Sequence, residues 1–191
     1  MNRAKKIIAA ASLIAASAAG FQIYNYYHGA IYSYTSGKDR AFIIDLFKNN
    51  WYWLVSERST DFSVEYMLDN KASSKSAPRG DLTLKVYRKE GVPVAFVGYF
   101  TKELYEGYVL FLAVDEKARS KGYARTLLAY ALDDLKKRGC LVIRLITRTN
   151  NIRGQKLYTG MGFKKTWERE GFVRFEKDVV QPMPAVSAAT A

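Results

Sequence analysis

At 191 residues the chain is long enough for one domain with a substantial core, and 49% apolar, 25% charged and 14% aromatic residues exclude a fibrous or wholly disordered protein. A formal net charge of +12 suits nucleic acid, an anionic membrane surface or a phosphate-bearing ligand, and the sign alone does not choose among them. Cys140 is the only cysteine, which excludes an intrachain disulfide, a redox CxxC pair and zinc bound through several thiolates.

Residues 1–38 contain no Asp or Glu, and Arg3, Lys5 and Lys6 precede the apolar run "IIAAASLIAASAAGF". That layout matches a secretory signal peptide, a short membrane-spanning helix over residues 7–23, or an organellar transit peptide; an amphipathic or core helix is the plainer alternative. Residues 1–30 are therefore set apart as a hydrophobic N-terminal segment and 31–180 as the domain. The last residues, 181–191, hold two prolines, small residues and no charge, and are expected to be a disordered tail.

Ile31 to Thr35 is expected to form the first strand of the domain. Asp39 is placed to cap a helix carrying Phe42, Ile43, Leu46 and Phe47 on one side, and Phe62 to Leu68 suggests a second helix. Between them lies "NNWYWLVSERST", whose aromatics suit a core or a lid. "DNKASSKSAPRGD" is a polar loop. The period then changes to that of strands in "LTLKVYR", "PVAFVGYF" and "YEGYVLFLAV", joined by short turns as an antiparallel meander.

From Ala124 to Arg138 the residues Leu127, Leu128, Ala131 and Leu135 recur at helical spacing, Lys136 to Arg138 complement the C-terminal dipole, and Gly139 stands where a terminating glycine belongs. "CLVIRLIT" is expected as a buried strand, "NIRGQKLYTGMGF" as a short helix stopped by glycine, and "KKTWERE" with "FVRFEKDVV" as a closing pair of strands. Strands interrupted by crossover helices define a mixed α/β fold: a mainly antiparallel central sheet flanked by helices.

The turn "DEKARSKG" joins the strand "YVLFLAV" to this best helix. A helix N-terminus offers unpaired N–H groups and a positive dipole end, Gly122 permits close approach, and Arg119, Lys121 and Arg125 add charge. This is chemistry for a pyrophosphate; a solvated basic turn is the plainer reading. No GxxxxGK[ST] loop and no GxGxxG fingerprint occur, which lowers the weight of nucleoside triphosphates and nicotinamide cofactors.

The stretch "LAVDEKARSKGYARTLL" resembles the acyl-CoA-binding segment of the GNAT superfamily of N-acetyltransferases, through Arg119, Gly122 and Ala124. Downstream, "NIRGQKLYTGMGF" resembles that family's second segment through Asn151, Tyr158, Gly162 and Phe163, with Gly154 where the family often has alanine. The resemblance implies acetyl-CoA as acyl donor, a primary amine as acceptor and no metal. It implies that the strand residues Leu112, Ala113 and Val114 meet the pantetheine arm, and that Arg119, Ser120, Lys121, Gly122, Tyr123, Ala124 and Arg125 hold the pyrophosphate. Asn151 would contact the arm, and Tyr158 would lie at the thioester sulfur and protonate the leaving thiolate.

Acyl transfer to an amine also needs a base. Tyr108 and Ile146 occupy the two positions where members of the family carry a glutamate, so Glu106, two residues before Tyr108, is the substitute expected here. Cys140 and His28 are given no catalytic role. A non-catalytic acyl-CoA-binding module at a membrane is the alternative function, and a nucleic-acid binder ranks last because no motif for it is present. Cations ahead of the apolar run would place an anchored domain on the non-cytoplasmic side, whereas acetyl-CoA chemistry favours the cytoplasmic face.

Overall fold

The computed structural model describes residues 29–56, 61–72, 82–103 and 105–179, together with Phe21, Asn25 and Ser59. The N-terminal apolar run, most of the polar loop and the C-terminal tail lie outside the described residues. Among the described residues no helix is long and apolar enough to cross a membrane.

Seven strands form one sheet in the order β1-β2-β3-β4-β5-β7-β6. They are β1 Ala30–Ser33, β2 Thr83–Lys89, β3 Val92–Glu103, β4 Glu106–Val114, β5 Val142–Arg148, β6 Lys164–Arg169 and β7 Phe172–Asp178. β2, β3 and β4 make the expected antiparallel meander, β1 adds to its edge antiparallel to β2, and β5 joins β4 in parallel. β7 then inserts between β5 and β6, antiparallel to both. The fold is therefore mixed α/β with a mainly antiparallel sheet.

Helices α1 Ser36–Leu54 and α2 Val64–Asn70 cover one face, burying Ile43, Phe47 and Met67 on Val86, Phe96 and Phe111. Helices α3 Tyr123–Lys137 and α4 Ile152–Thr159 take the other, where Leu127, Leu128, Ala131 and Leu135 meet Val97, Ile143, Val173 and Phe175. A Cβ at Gly107 would stand 2.9 Å from a Leu135 methyl, so this glycine lets α3 settle directly on β4. Gly139, at φ +89°, follows α3 as expected and donates to the Lys136 carbonyl.

Three local expectations need correction. Thr35, not Asp39, is the N-cap of α1; Asp39 lies buried in the first turn, accepts from the Thr35 amide at 2.8 Å and pairs with Arg88 at 2.7 Å. A carboxylate inside the first turn can satisfy the cap amide from the C-terminal side, so Asp39 serves the helix start from within it rather than ahead of it. "NNWYWL", expected between the two helices, is the end of α1, which continues past non-helical Asn50. And β5 is buried on one face only, with Ile146 41% exposed, because none of the described helices covers that face there.

Candidate active site

β4 and β5 pair only through Glu106, Gly107 and Tyr108 against Val142, Ile143 and Arg144; beyond that point they diverge. The register of β3 against β4 steps from Tyr99↔Val109 to Gly98↔Phe111, leaving Leu110 as an extra residue. Such a bulge bends and twists its strand, which accounts for the opening beside β5. Two cavities occupy it.

The larger, of about 620 Å³, lies at the C-terminal end of β4. Leu112, Ala113 and Val114 supply the strand wall, and Arg119, Ser120, Gly122, Tyr123, Ala124 and Arg125 the turn and first residues of α3. Asp115 opens this turn by accepting from the Lys117 amide at 2.9 Å. Ser120, at φ +64°, and Gly122, at φ +86°, both take left-handed conformations, a backbone pattern that suits amides gathered around an anion. Among the described residues no side chain caps α3, and a Cβ on Gly122 would meet nothing within 4 Å. Uncapped amides facing open space are suited to an anion.

The cations behave differently from expectation. Lys121 is exposed and outside the cavity wall. The Arg119 guanidinium turns back to Asn50 Oδ1 at 2.8 Å and to the Val114 carbonyl at 3.4 Å, and Arg125 donates to the Gly160 carbonyl at 3.2 Å. The cradle thus rests mainly on main-chain amides. Arg153, on the opposite wall, also lines the cavity, and no motif in the sequence marks it.

The smaller cavity, of about 440 Å³, opens between Phe62, the diverging strands and the β6–β7 turn. Tyr108 and Ile146 both line it, so the two positions where the family carries glutamate do face this space, filled here by other chemistry. Among the described residues, Asp61 and Glu170 are its carboxylates. Sequence reasoning misses both: Asp61 carries no motif, and Glu170 is one charge among several in the closing hairpin. A step in the β6–β7 register at Thr166 accompanies Trp167, which lines the cavity beside Arg169.

Trp53, Leu54, Leu112, Asn151 and Tyr158 line both cavities, so Tyr158 stands where they join. Its ring packs on Phe163 and Phe175, and only 9% of the residue is exposed. Burial pushes its hydroxyl up to about 12, which keeps the proton on the oxygen at neutral pH. Asn151 caps α4: Oδ1 accepts from the Gly154 amide at 3.0 Å, and Nδ2 donates to Thr147 Oγ1 at 2.8 Å. Its polar atoms are thus engaged in holding α4, which carries Tyr158 at its far end.

Glu106 is not in either cavity wall. It is 8% exposed at the start of β4, ion-paired to Arg144 and to Lys102 at 3.3 Å. Arg144 and Arg174 continue the chain of charges to Glu176, at 3.2 and 2.9 Å. Glu106, expected as the base, thus has its carboxylate bracing the closed end of the β4–β5 pair. Among the described residues no cluster of three or more His, Cys, Asp or Glu is placed to hold a metal ion.

The sheet is split between β4 and β5 with the first residues of α3 at the opening, and residues 43–163 match the acetyltransferase (GNAT) family. The chain belongs to that family. It is 30% identical over 96 residues to N-alpha-acetyltransferase 30 of Saccharomyces cerevisiae, covering 50% of this chain and 48% of that protein. It is 33% identical over 92 residues to the [ribosomal protein bS18]-alanine N-acetyltransferase of Haemophilus ducreyi, covering 48% of this chain and 61% of that protein. The matches thus span between about half and three-fifths of these relatives.

Solved structures share the fold. The ribosomal-protein-alanine N-acetyltransferase from Brucella melitensis aligns with a TM-score of 0.63 at 17% identity, over 78% of this chain and 99% of that one. The protein yncA from Salmonella typhimurium, solved with acetyl-CoA, aligns with a TM-score of 0.65 at 14% identity, over 82% and 96%.

Proposed function

We propose that the chain transfers acetyl from acetyl-CoA to a primary amine by direct attack, with a protein or peptide α-amine as the preferred acceptor. One observation carries this: a cavity headed by uncapped helix amides meets a second, carboxylate-bearing cavity at one protonated tyrosine. The amides of Ser120 to Arg125 would hold the diphosphate, and Leu112 to Val114 the pantetheine arm, which delivers the thioester to Tyr158. The acceptor enters through the smaller cavity, and the names of the two relatives, an N-alpha-acetyltransferase and a ribosomal-protein alanine N-acetyltransferase, favour an α-amine.

The amine nitrogen attacks the thioester carbon and loses a proton toward Asp61 or Glu170, directly or through water. As the tetrahedral carbon expels sulfur, the Tyr158 hydroxyl donates a hydrogen bond to it. The C–S bond breaks as the C–N bond is kept, the Tyr158 hydroxyl passes its proton to the departing sulfur and is reprotonated from water, and the products are the amide and free CoA thiol. The non-catalytic alternative draws support from Tyr108 and Ile146 at the glutamate positions, but the carboxylates lining the acceptor cavity weigh against it.

Calorimetric titration with acetyl-CoA, followed by thiol release in the presence of a peptide with N-terminal alanine, tests both halves. Absence of binding at millimolar acetyl-CoA removes the function, and binding without thiol release across varied amines favours the module. We further propose that residues 7–23 hold the chain at a membrane with its domain on the side supplied with acetyl-CoA. Fractionation of the full chain with N-terminal sequencing tests this, and a soluble chain processed near residue 20 would refute it.

A further inference from the structure

Near its end α1 changes direction at Asn50, whose φ of −131° and ψ of 23° are not helical, and Trp51 to Leu54 complete a last turn. Trp53 and Leu54 of that turn roof the place where the two cavities join. Three side chains fasten the turn to elements of the site. Arg119 reaches Asn50 Oδ1 at 2.8 Å; Asn150 Nδ2 donates to Tyr52 Oη at 3.0 Å; Arg148 donates to the Tyr52 carbonyl at 2.5 Å and to the Val55 carbonyl at 3.3 Å and stacks on the Tyr52 ring at 3.9 Å.

Asn50 is satisfied on both sides, since its Nδ2 donates to the Leu46 carbonyl at 2.9 Å while its Oδ1 takes the Arg119 guanidinium. The bend in α1 is thus held by one side-chain amide whose donor partner belongs to the turn before α3. Of the three fastenings, this alone joins the roof to the amide cradle. Arg119 is one residue from left-handed Ser120, so a ligand that fixes those amides also fixes the origin of the guanidinium. A planar guanidinium transmits that position well, because its charge-assisted bond is short and directional.

We propose that Asn50 is a positioning residue: through Arg119 it ties the turn carrying Trp53 to the cradle, so that filling the cradle sets the roof over the acceptor cavity. The inference rests on the proposed function in taking the cradle to bind coenzyme A. Nothing in it requires Asn50 to touch the acceptor.

The test uses the full chain with Trp167→Phe, which leaves Trp51 and Trp53, both beyond the bend, as its only tryptophans. Free CoA is titrated in, followed in parallel by calorimetry and by tryptophan emission. Emission is expected to change with the calorimetric Kd. Asn50→Leu should bind CoA within about threefold of the parent and lose most of the emission change, while Asn50→Asp, which keeps an acceptor for Arg119, should retain it. Arg119→Gln removes the same contact from the other side and should lose the change at saturating CoA. A full response in both Asn50→Leu and Arg119→Gln, or none in the parent despite calorimetric binding, overturns the proposal. If the parent binds no CoA by calorimetry, the proposed function fails first and the positioning role falls with it.

Discussion

The Arg144 guanidinium closes on the Glu106 carboxylate across the short parallel pairing of β4 with β5, while Lys102 Nζ stands 3.3 Å from the other carboxylate oxygen. Both oxygens are engaged, and the side chain is outside both cavities. Glu106→Gln should therefore leave kcat/KM within about threefold and the shape of its pH profile unchanged, while lowering unfolding free energy by about 1–3 kcal/mol. Denaturant melts and steady-state rates measure the two. A loss of rate of about a hundredfold at an unchanged melting midpoint would return Glu106 to the chemistry.

Tyr158 gives the complementary result. Its folded pKa of about 12 lies above the unfolded value near 10, so the buried neutral phenol favours folding below about pH 10 and that contribution fades as pH climbs toward 12. The proton stays available across the working range, and kcat/KM should show no alkaline limb owed to Tyr158 below about pH 10. Tyr158→Phe should lower kcat by about a hundredfold with little change in the KM for acetyl-CoA. An alkaline limb near pH 8 that vanishes in the Phe variant contradicts the assignment.

Much of this was legible because it is local. The spacing of Leu127, Leu128, Ala131 and Leu135 fixes a helix face, and the glycine-bearing turn before it announces a helix N-terminus whatever the rest of the fold does. Insertion of β7 between β5 and β6 was not legible, since it depends on pairing across most of the domain. The partners of charges were illegible for the same reason. Glu106 and Arg144 are 38 positions apart, and Arg119 and Asn50 are 69, so no local pattern joins them. A bulge such as that at Leu110 shows only as a step in register between strands.

Gly122 separates conformational from electrostatic cost. At φ +86°, with nothing within 4 Å of where a methyl would stand, Gly122→Ala introduces strain without a clash. It should weaken acetyl-CoA binding only about three- to tenfold, the scale of a left-handed alanine. Gly122→Asp adds a like charge where the diphosphate would sit, and affinity should fall by about a hundredfold or more. Calorimetry on the two variants distinguishes these costs; equal, small losses would mean that the diphosphate lies elsewhere.

Gly154, where the family often has alanine, has a local reason in this chain. A Cβ there would stand 2.6 Å from Asn151 Nδ2 and 3.0 Å from its Oδ1, so the Asn151 side chain occupies the space an alanine methyl would need. Gly154→Ala should push Asn151 off the α4 amide and off Thr147, which is 7% exposed and would lose its donor. Loss of the cap costs about 1 kcal/mol, and the buried hydroxyl adds to it. Because Asn151 lines both cavities and α4 carries Tyr158, KM for both substrates should rise together and kcat should fall. Asn151→Ala tests the same cap without the clash, and adding it to Gly154→Ala should cost little more, since the two changes remove one interaction. Additive losses in the double variant would show that Gly154 and Asn151 act separately.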